Sequence, residues 1–331
     1  MTLRDVFAPG LNRNVKLGGY KRAVAPGPSF KLRHYMSGSM PATPASCDYT
    51  QNGASLTAAL ADILGNDAVG DCVIAWLLHQ LAIWTGYALG VPFHATRDQA
   101  LAMYSAITGY VVGNPATDQG TDPQTAINWV IANGFPNGDK PLGSVCIDGT
   151  NVAELQQAIY LFEGCGFAVG LPDAYVASMP SGDGFIWDVA GASDSGNGHM
   201  FLGAGYDSTG VIVDTWGFLG KFTYKAIAAY AVATTGGEIH ILLSADMIAK
   251  AALKAPNGID WASLVQDFDQ IGGSVVVPPM PTPSPPTGPA TLAAAQAWAA
   301  AGIATGFPLM TRAQAIAAAN AGLAQNWPAA S

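Results

Sequence analysis

Apolar positions in the first half of the chain fall three and four residues apart, and those in the second half fall in short runs. A helical pattern begins at Leu56, and residues 73–84 are apolar almost throughout and of helical length. A helix apolar on all sides is predicted to be central and buried. Cys72 stands at its N-terminal edge. Residues 97–107, 123–133 and 152–162 read as further helices. Pro123 after Asp122 suits a first helical position, and Asn151 is placed to cap the helix that starts at Val152. Beyond these the period changes. Residues 167–171, 200–206, 211–214 and 238–243 are short apolar runs bounded by Gly, Asp and Ser, as strands are. Helices first and strands later predict an α+β domain with a helical half and a sheet half.

The ends of the chain do not share this patterning. Residues 1–45 are rich in Gly, Pro, Ser and Arg and read as an extended arm, leaving 46–276 as the domain. Residues 277–290 read as a semi-rigid polyproline II linker. The Ala-rich tail, 291–331, offers two short helices at 291–301 and 312–325 that need a partner surface. Charge sharpens the division. The net charge is −9, yet seven of the fourteen basic residues lie in the first 33 positions with Asp5 as the only acid there. A basic arm fits the acidic body of its own or a neighbouring copy. Half the residues are hydrophobic and 11% charged, with a mean hydropathy of +0.26, so protein-covered surface is expected: a homo-oligomer or larger assembly made through arm and tail. The apolar excess is Ala and Gly, and no uninterrupted run reaches membrane-spanning length, so no membrane partner is expected. Nucleic acid is not expected either. The N-terminus lacks the apolar segment of a secretory signal, which predicts a cytoplasmic or virion-incorporated protein.

The four cysteines, at 47, 72, 146 and 165, form no zinc-type pair. No phosphate loop, H-E-x-x-H or EF-hand pattern is present, so neither metal nor cofactor is expected. A nucleophilic cysteine needs a thiolate, and a helix N-terminus favours one. Cys72 has that position, with Gly70 allowing close approach, while the other three read as buried thiols. Of the five histidines, His34, His79, His94 and His240 read as exposed or satisfied core residues. His79 lies two turns along the Cys72 helix, about 10 Å away at 1.5 Å per residue. His199 differs: it opens an apolar strand directly after Gly-Asn-Gly. Two strands around a loop at 207–210 bring Asp214 back beside that strand. A loop at 207–210 pairs Asp214 with Gly203, on the face of His199 but four residues along and too far for a hydrogen bond; a two-residue loop at Tyr206-Asp207 sets the two opposite each other, and a bulge at Gly203 or Gly205 does part of this. Spacing leaves the contact open.

Taken in order, these residues resemble the papain-like cysteine peptidases over residues 50–245. Asn66, six residues before Cys72, is similar to that family's oxyanion glutamine. Asp71-Cys72 opens the nucleophile helix. The stretch 198–206 is similar to the histidine strand, and Asp214-Thr-Trp-Gly217 to Asn-Ser-Trp-Gly. His199 and Asp214 follow Cys72 by 127 and 142 residues, close to the family's spacing of about 130–150. Residues 120–135 resemble the glycine-containing loop and helix that hold the substrate backbone there, and 154–170 the helix and strand opening the sheet half. Departures are Asn for Gln at 66, Asp for Asn at 214, and Val69-Gly-Asp-Cys-Val73 at the nucleophile. The Gly-Asp-Cys entry is also similar to leader-peptide peptidases and to cell-wall hydrolases of the NlpC type.

The resemblance implies acyl transfer on a peptide or amide substrate. Cys72 is then the nucleophile, His199 its base and Asp214 the residue orienting it. The main-chain N–H of Cys72 and the Asn66 side chain face the oxyanion. Gly70, Asp71, Gly120, Thr121, Asp122 and Gly198 line the substrate, and Trp216 shields the bond between His199 and Asp214 from water. The alternative is a structural or adhesive subunit, such as a phage particle protein, built on the same fold.

Overall fold

The computed structural model describes residues 3–21, 30–36, 42–254 and 259–266 except 262 and 265. The proline-rich linker and the Ala-rich tail lie outside the described residues. The helical half is α1 (Ala54–Leu60), α2 (Cys72–Leu89), α3 (Arg97–Thr108) and α4 (Pro123–Asn133). In α2, Val73, Ile74, Trp76, Leu77, Leu78, Leu81, Ile83 and Trp84 are all buried, each side chain contributing roughly 1.5–3 kcal/mol. The helix ends at Gly90, whose φ of 72° makes the left-handed cap. Its length and composition would suit a membrane span, but 83% of it is buried inside this chain, as a core helix is. Thr96 and Gln99 form a capping box for α3, Asp122 caps α4 by accepting from Thr125 N–H, and Asn151 caps the helix that follows the next strand.

The sheet half follows: β5 (Gly143–Ile147), α5 (Val152–Phe162), β6 (Cys165–Gly170), α6 (Asp173–Ala177), β7 (Phe185–Trp187), β8 (Gly198–Tyr206), β9 (Gly210–Thr215), β10 (Phe218–Thr223), α7 (Tyr224–Tyr230), β11 (Glu238–Leu243) and α8 (Ala245–Lys254). Two short strands near the N-terminus, β3 (Phe30–Lys31) and β4 (Cys47–Asp48), join the same nine-stranded mixed sheet. Its order is β3-β5-β11-β6-β8-β9-β10-β7, with β4 also on β8. One face carries Phe167 stacked on Phe201, with Phe222 and Trp187 packed edge-on against them. The other meets α2, where a side chain at Gly166 would run into Trp76 and Met200.

One detail of register matters to the site. In β8 and β9, Leu202 pairs with Asp214 and Gly203 with Val213, and then a bulge skips Ala204 so that Gly205 meets Ile212. Opposite residues share a face, and a one-residue slip exchanges the faces. Asp214 is therefore on the Met200 and Leu202 face toward α2, while Thr215 falls on the Phe201 face with His199.

The N-terminal segment is more ordered than an aperiodic arm. β1 (Arg4–Ala8) and β2 (Arg13–Leu17) form an antiparallel hairpin turning at Asn12. Ala8, Val15 and Leu17 are buried in the core of the domain. The alternation was too short, and too rich in outward charge, to show as strand. Those charges meet the acidic body of the same chain: Arg13 lies 2.5 Å from Asp67, Arg4 3.6 Å from Asp173 and Arg33 3.8 Å from Asp148.

Candidate active site

Cys72 is the first residue of α2 and its side chain is buried. The main-chain N–H of Met200 donates to its sulfur, which sets it against β8 one residue from His199. Burial nevertheless pushes the thiol up to about 12, outweighing the helix terminus. Asp71, just before it, is fully buried, and burial raises its carboxyl well above the usual range, with Asn66 offsetting part. Asn66 donates its amide N–H to Val69 O at 3.4 Å. Gly70 N–H is held by both Asp118 oxygens at 3.1 Å, and Asp118 also accepts from Tyr104.

His199 is buried at the start of β8, and burial lowers its imidazole to about 3. Its Nε2 lies 2.7 Å from Thr215 Oγ1. Trp216 stacks on the ring with centroids 4.1 Å apart and planes 9° apart. Trp216 takes φ 51° and Gly217 φ 78°, the pair of positive values that a tight hairpin turn between β9 and β10 demands. Tryptophan rarely sits there, and the ring stack holds it.

The expected contact between Asp214 and His199 is not made. Asp214 lies 2.9 Å from His79 Nδ1, and His79 Nε2 faces Asp62 O at 3.0 Å. The bulge is the reason: it turns Asp214 toward α2 and gives Thr215 to His199. Burial would lower His79, but Asp214 prevails and its imidazole shifts up; burial raises Asp214, with His79 offsetting part. His79 is thus a satisfied core histidine, as expected. His79, Asp214, Asn66, His199, Thr215 and Trp216 all border one small cavity of about 20 Å³.

The residues expected to hold substrate backbone hold the chain itself. Residues 18–21 run between Gly198 and Thr121: Gly18 N–H donates to Gly198 O at 2.9 Å, Thr121 N–H to Gly19 O at 2.9 Å, and Lys21 N–H to Thr121 O at 3.0 Å. Tyr20 and Thr121 form a parallel bridge. The approach is so close that a Cβ on Gly120 would sit 2.2 Å from Gly19 O, and one on Gly19 would sit 3.1 Å from Cys72 Sγ. Gly120, Thr121, Gly198 and Cys72 therefore converge on one extended peptide. Asp122 lies outside it, as the cap of α4.

Among solved structures the chain is similar to xylellain, a cysteine protease from Xylella fastidiosa, with 13% identity over 73% of this chain and 98% of that one and a TM-score of 0.50. It is also similar to digestive procathepsin L2 from Tenebrio molitor, with 13% identity over 69% and 78% and a TM-score of 0.45. The fold is papain-like. No protein-family description and no curated protein matches the chain in sequence. Within this papain-like fold the structure brings together Cys72, His199 and the loop at Gly120, which the sequence singled out, and adds Thr215, whose place depends on a bulge. The sequence places His240 in a strand but does not show its pairing with Cys146, which lies on a strand far away in sequence.

Proposed function

We propose that this chain is a cysteine peptidase in which Cys72 is the nucleophile and residues 18–21 close the peptide-binding cleft. One observation carries the reading. Beside Cys72, main-chain groups of Gly198 and Thr121 bind an extended peptide, supplied here by the same chain, through the N–H and C=O pairing that any peptide can offer. In the closed state the thiol is protonated and the imidazole neutral, since both are buried. Withdrawal of residues 18–21 admits water and substrate, removes the desolvation that raises Cys72, and lets the α2 terminus and Met200 N–H favour thiolate.

The Cys72 sulfur then attacks the substrate carbonyl, forming an S–C bond. The proton that the Cys72 thiol loses goes to Nδ1 of His199, which gives it to the departing amine as the C–N bond breaks. Water, losing a proton to His199, releases the acid and restores the thiol. Thr215 Oγ1 accepts from Nε2–H, which fixes the ring and leaves Nδ1 as the basic nitrogen. The Cys72 N–H and the Asn66 amide are the proposed oxyanion donors.

Turnover of a peptide-amide library by the full chain tests both parts. Cys72→Ala is expected to lower it about a thousandfold or more. Gly19→Ala, whose methyl meets Gly70 O at 2.8 Å and Cys72 Sγ at 3.1 Å, is expected to displace the segment and raise turnover. Hydrolysis undiminished in Cys72→Ala would remove the nucleophile, and equal rates in Gly19→Ala and parent would remove the closure.

A further inference from the structure

We propose that Cys146, His240 and Glu238 form a second reactive-thiol site in this chain, one that takes a small hydroperoxide. Cys146 on β5 and His240 on β11 are directly opposed in the antiparallel register, so their side chains share a face. Cys146 Sγ lies 3.7 Å from His240 Nδ1, and His240 Nε2 lies 2.9 Å from Glu238 Oε2. This is a complete nucleophile, base and orienting carboxylate, built on two adjacent rigid strands. The ring of Trp76 from α2 backs the imidazole at 6.4 Å.

Charge supports the geometry. Burial alone would lower His240, but Cys146 and Glu238 hold the imidazole up to about 10. Burial opposes ionisation of Cys146 too, yet His240 lowers the thiol below its usual value, with Lys31 of the paired strand β3 adding to this and Glu238 opposing it. Those are the charged groups acting on the pair. Cys146 is 8% exposed, so the opening suits a reagent of few atoms. Neither Cys72 nor Cys165, both raised by burial, shares this state.

The reaction balances without a further reductant. The Cys146 sulfur attacks one peroxide oxygen, and the S–O bond forms as the O–O bond breaks. The leaving hydroxide takes the proton of His240 and departs as water. Sulfur is oxidised by two electrons to a sulfenic acid and the peroxide is reduced.

The test is hydrogen peroxide on the folded full chain, with dimedone trapping and peptide mapping, across pH 6.5–8.5. Cys146 is expected to be trapped first of the four cysteines. Its rate should rise far less steeply over that range than that of an ordinary thiol of pKa near 8.5, which rises about fiftyfold. His240→Gln should slow trapping at pH 6.5 about tenfold or more and restore the steep rise. Glu238→Gln, at a side chain only partly buried, should give an intermediate profile with the fold intact. An ordinary-thiol pH profile for Cys146 in the parent, or trapping only after denaturation, would overturn the proposal. So would unchanged kinetics in both variants.

Discussion

Cys72 with His199 and Cys146 with His240 are both buried cysteine–histidine neighbourhoods, the first between α2 and the sheet and the second within it, and they differ at the far nitrogen of the imidazole. At His199, Nε2 meets the neutral hydroxyl of Thr215. At His240, Nε2 meets the carboxylate of Glu238. Burial would lower both imidazoles; at His240 the Cys146 sulfur is the largest influence against it and Glu238 adds to that, whereas burial alone sets the shift at His199. The pair that the sequence marks as catalytic is neutral while the cleft is closed, and in the unmarked pair the imidazole is held up and the thiol lowered. Position at a helix start does not make a reactive thiol when burial outweighs it.

A third histidine, His79, has a carboxylate but no cysteine, and it separates stability from reactivity. Asp214→Ala would leave His79 buried without its partner, and breaking such a pair costs about 3–5 kcal/mol. Chemical denaturation should show that loss while peroxide trapping at Cys146 in the folded fraction stays unchanged. The pH dependence follows from the upward shift of His79. Its stabilisation is complete below the unfolded value of about 6.5 and is lost as pH rises through the folded one. Thermal midpoints of the parent should therefore fall more between pH 6.5 and 9 than those of Asp214→Asn, which keeps an acceptor but no charge.

Thr215→Val probes the neutral side of the comparison. It leaves a buried imidazole N–H unpaired, at a cost of about 1–3 kcal/mol. In the Gly19→Ala background turnover is expected to fall about tenfold through misorientation of His199. Substitution of Thr215 leaving turnover unchanged would show that the ring stack with Trp216 alone orients His199.

Much of this was legible in sequence because it rests on local signals. The uniform apolarity of residues 73–84 announces a central helix, Asn151 announces its cap and Pro123 a helix start, and Gly-His before an apolar run announces the start of β8. Thr215 was not legible, because the choice between it and Asp214 depends on where a one-residue bulge falls between two glycines, and both glycines permit one. The hairpin of β1 and β2 was hidden because each strand has five residues with charges facing outward. Cys146 and His240 are 94 residues apart, and only the strand order of the sheet brings them together.

The smallest expected effect separates the two thiols by their dependence on the N-terminal hairpin. Arg13 on β2 lies 2.5 Å from Asp67, which Arg97 also approaches at 3.6 Å. Both arginines are about half exposed, and an exposed ion pair contributes about 0.2–1 kcal/mol, less at high salt. The hairpin leads directly into residues 18–21, so Arg13→Ala should shift the closed cleft toward the open one by no more than about fivefold. Peptide turnover in 50 mM salt should rise by that factor over the parent, and the two should converge in 0.5 M salt as screening removes the pair from both. Trapping at Cys146 should be the same in variant and parent at either salt, because His240 and Glu238 act on it through buried, short contacts. A parallel rise at both cysteines would mean that the hairpin controls the whole sheet rather than the Cys72 cleft, and the contrast between the two sites would then lie in exposure rather than in the charge beside each imidazole.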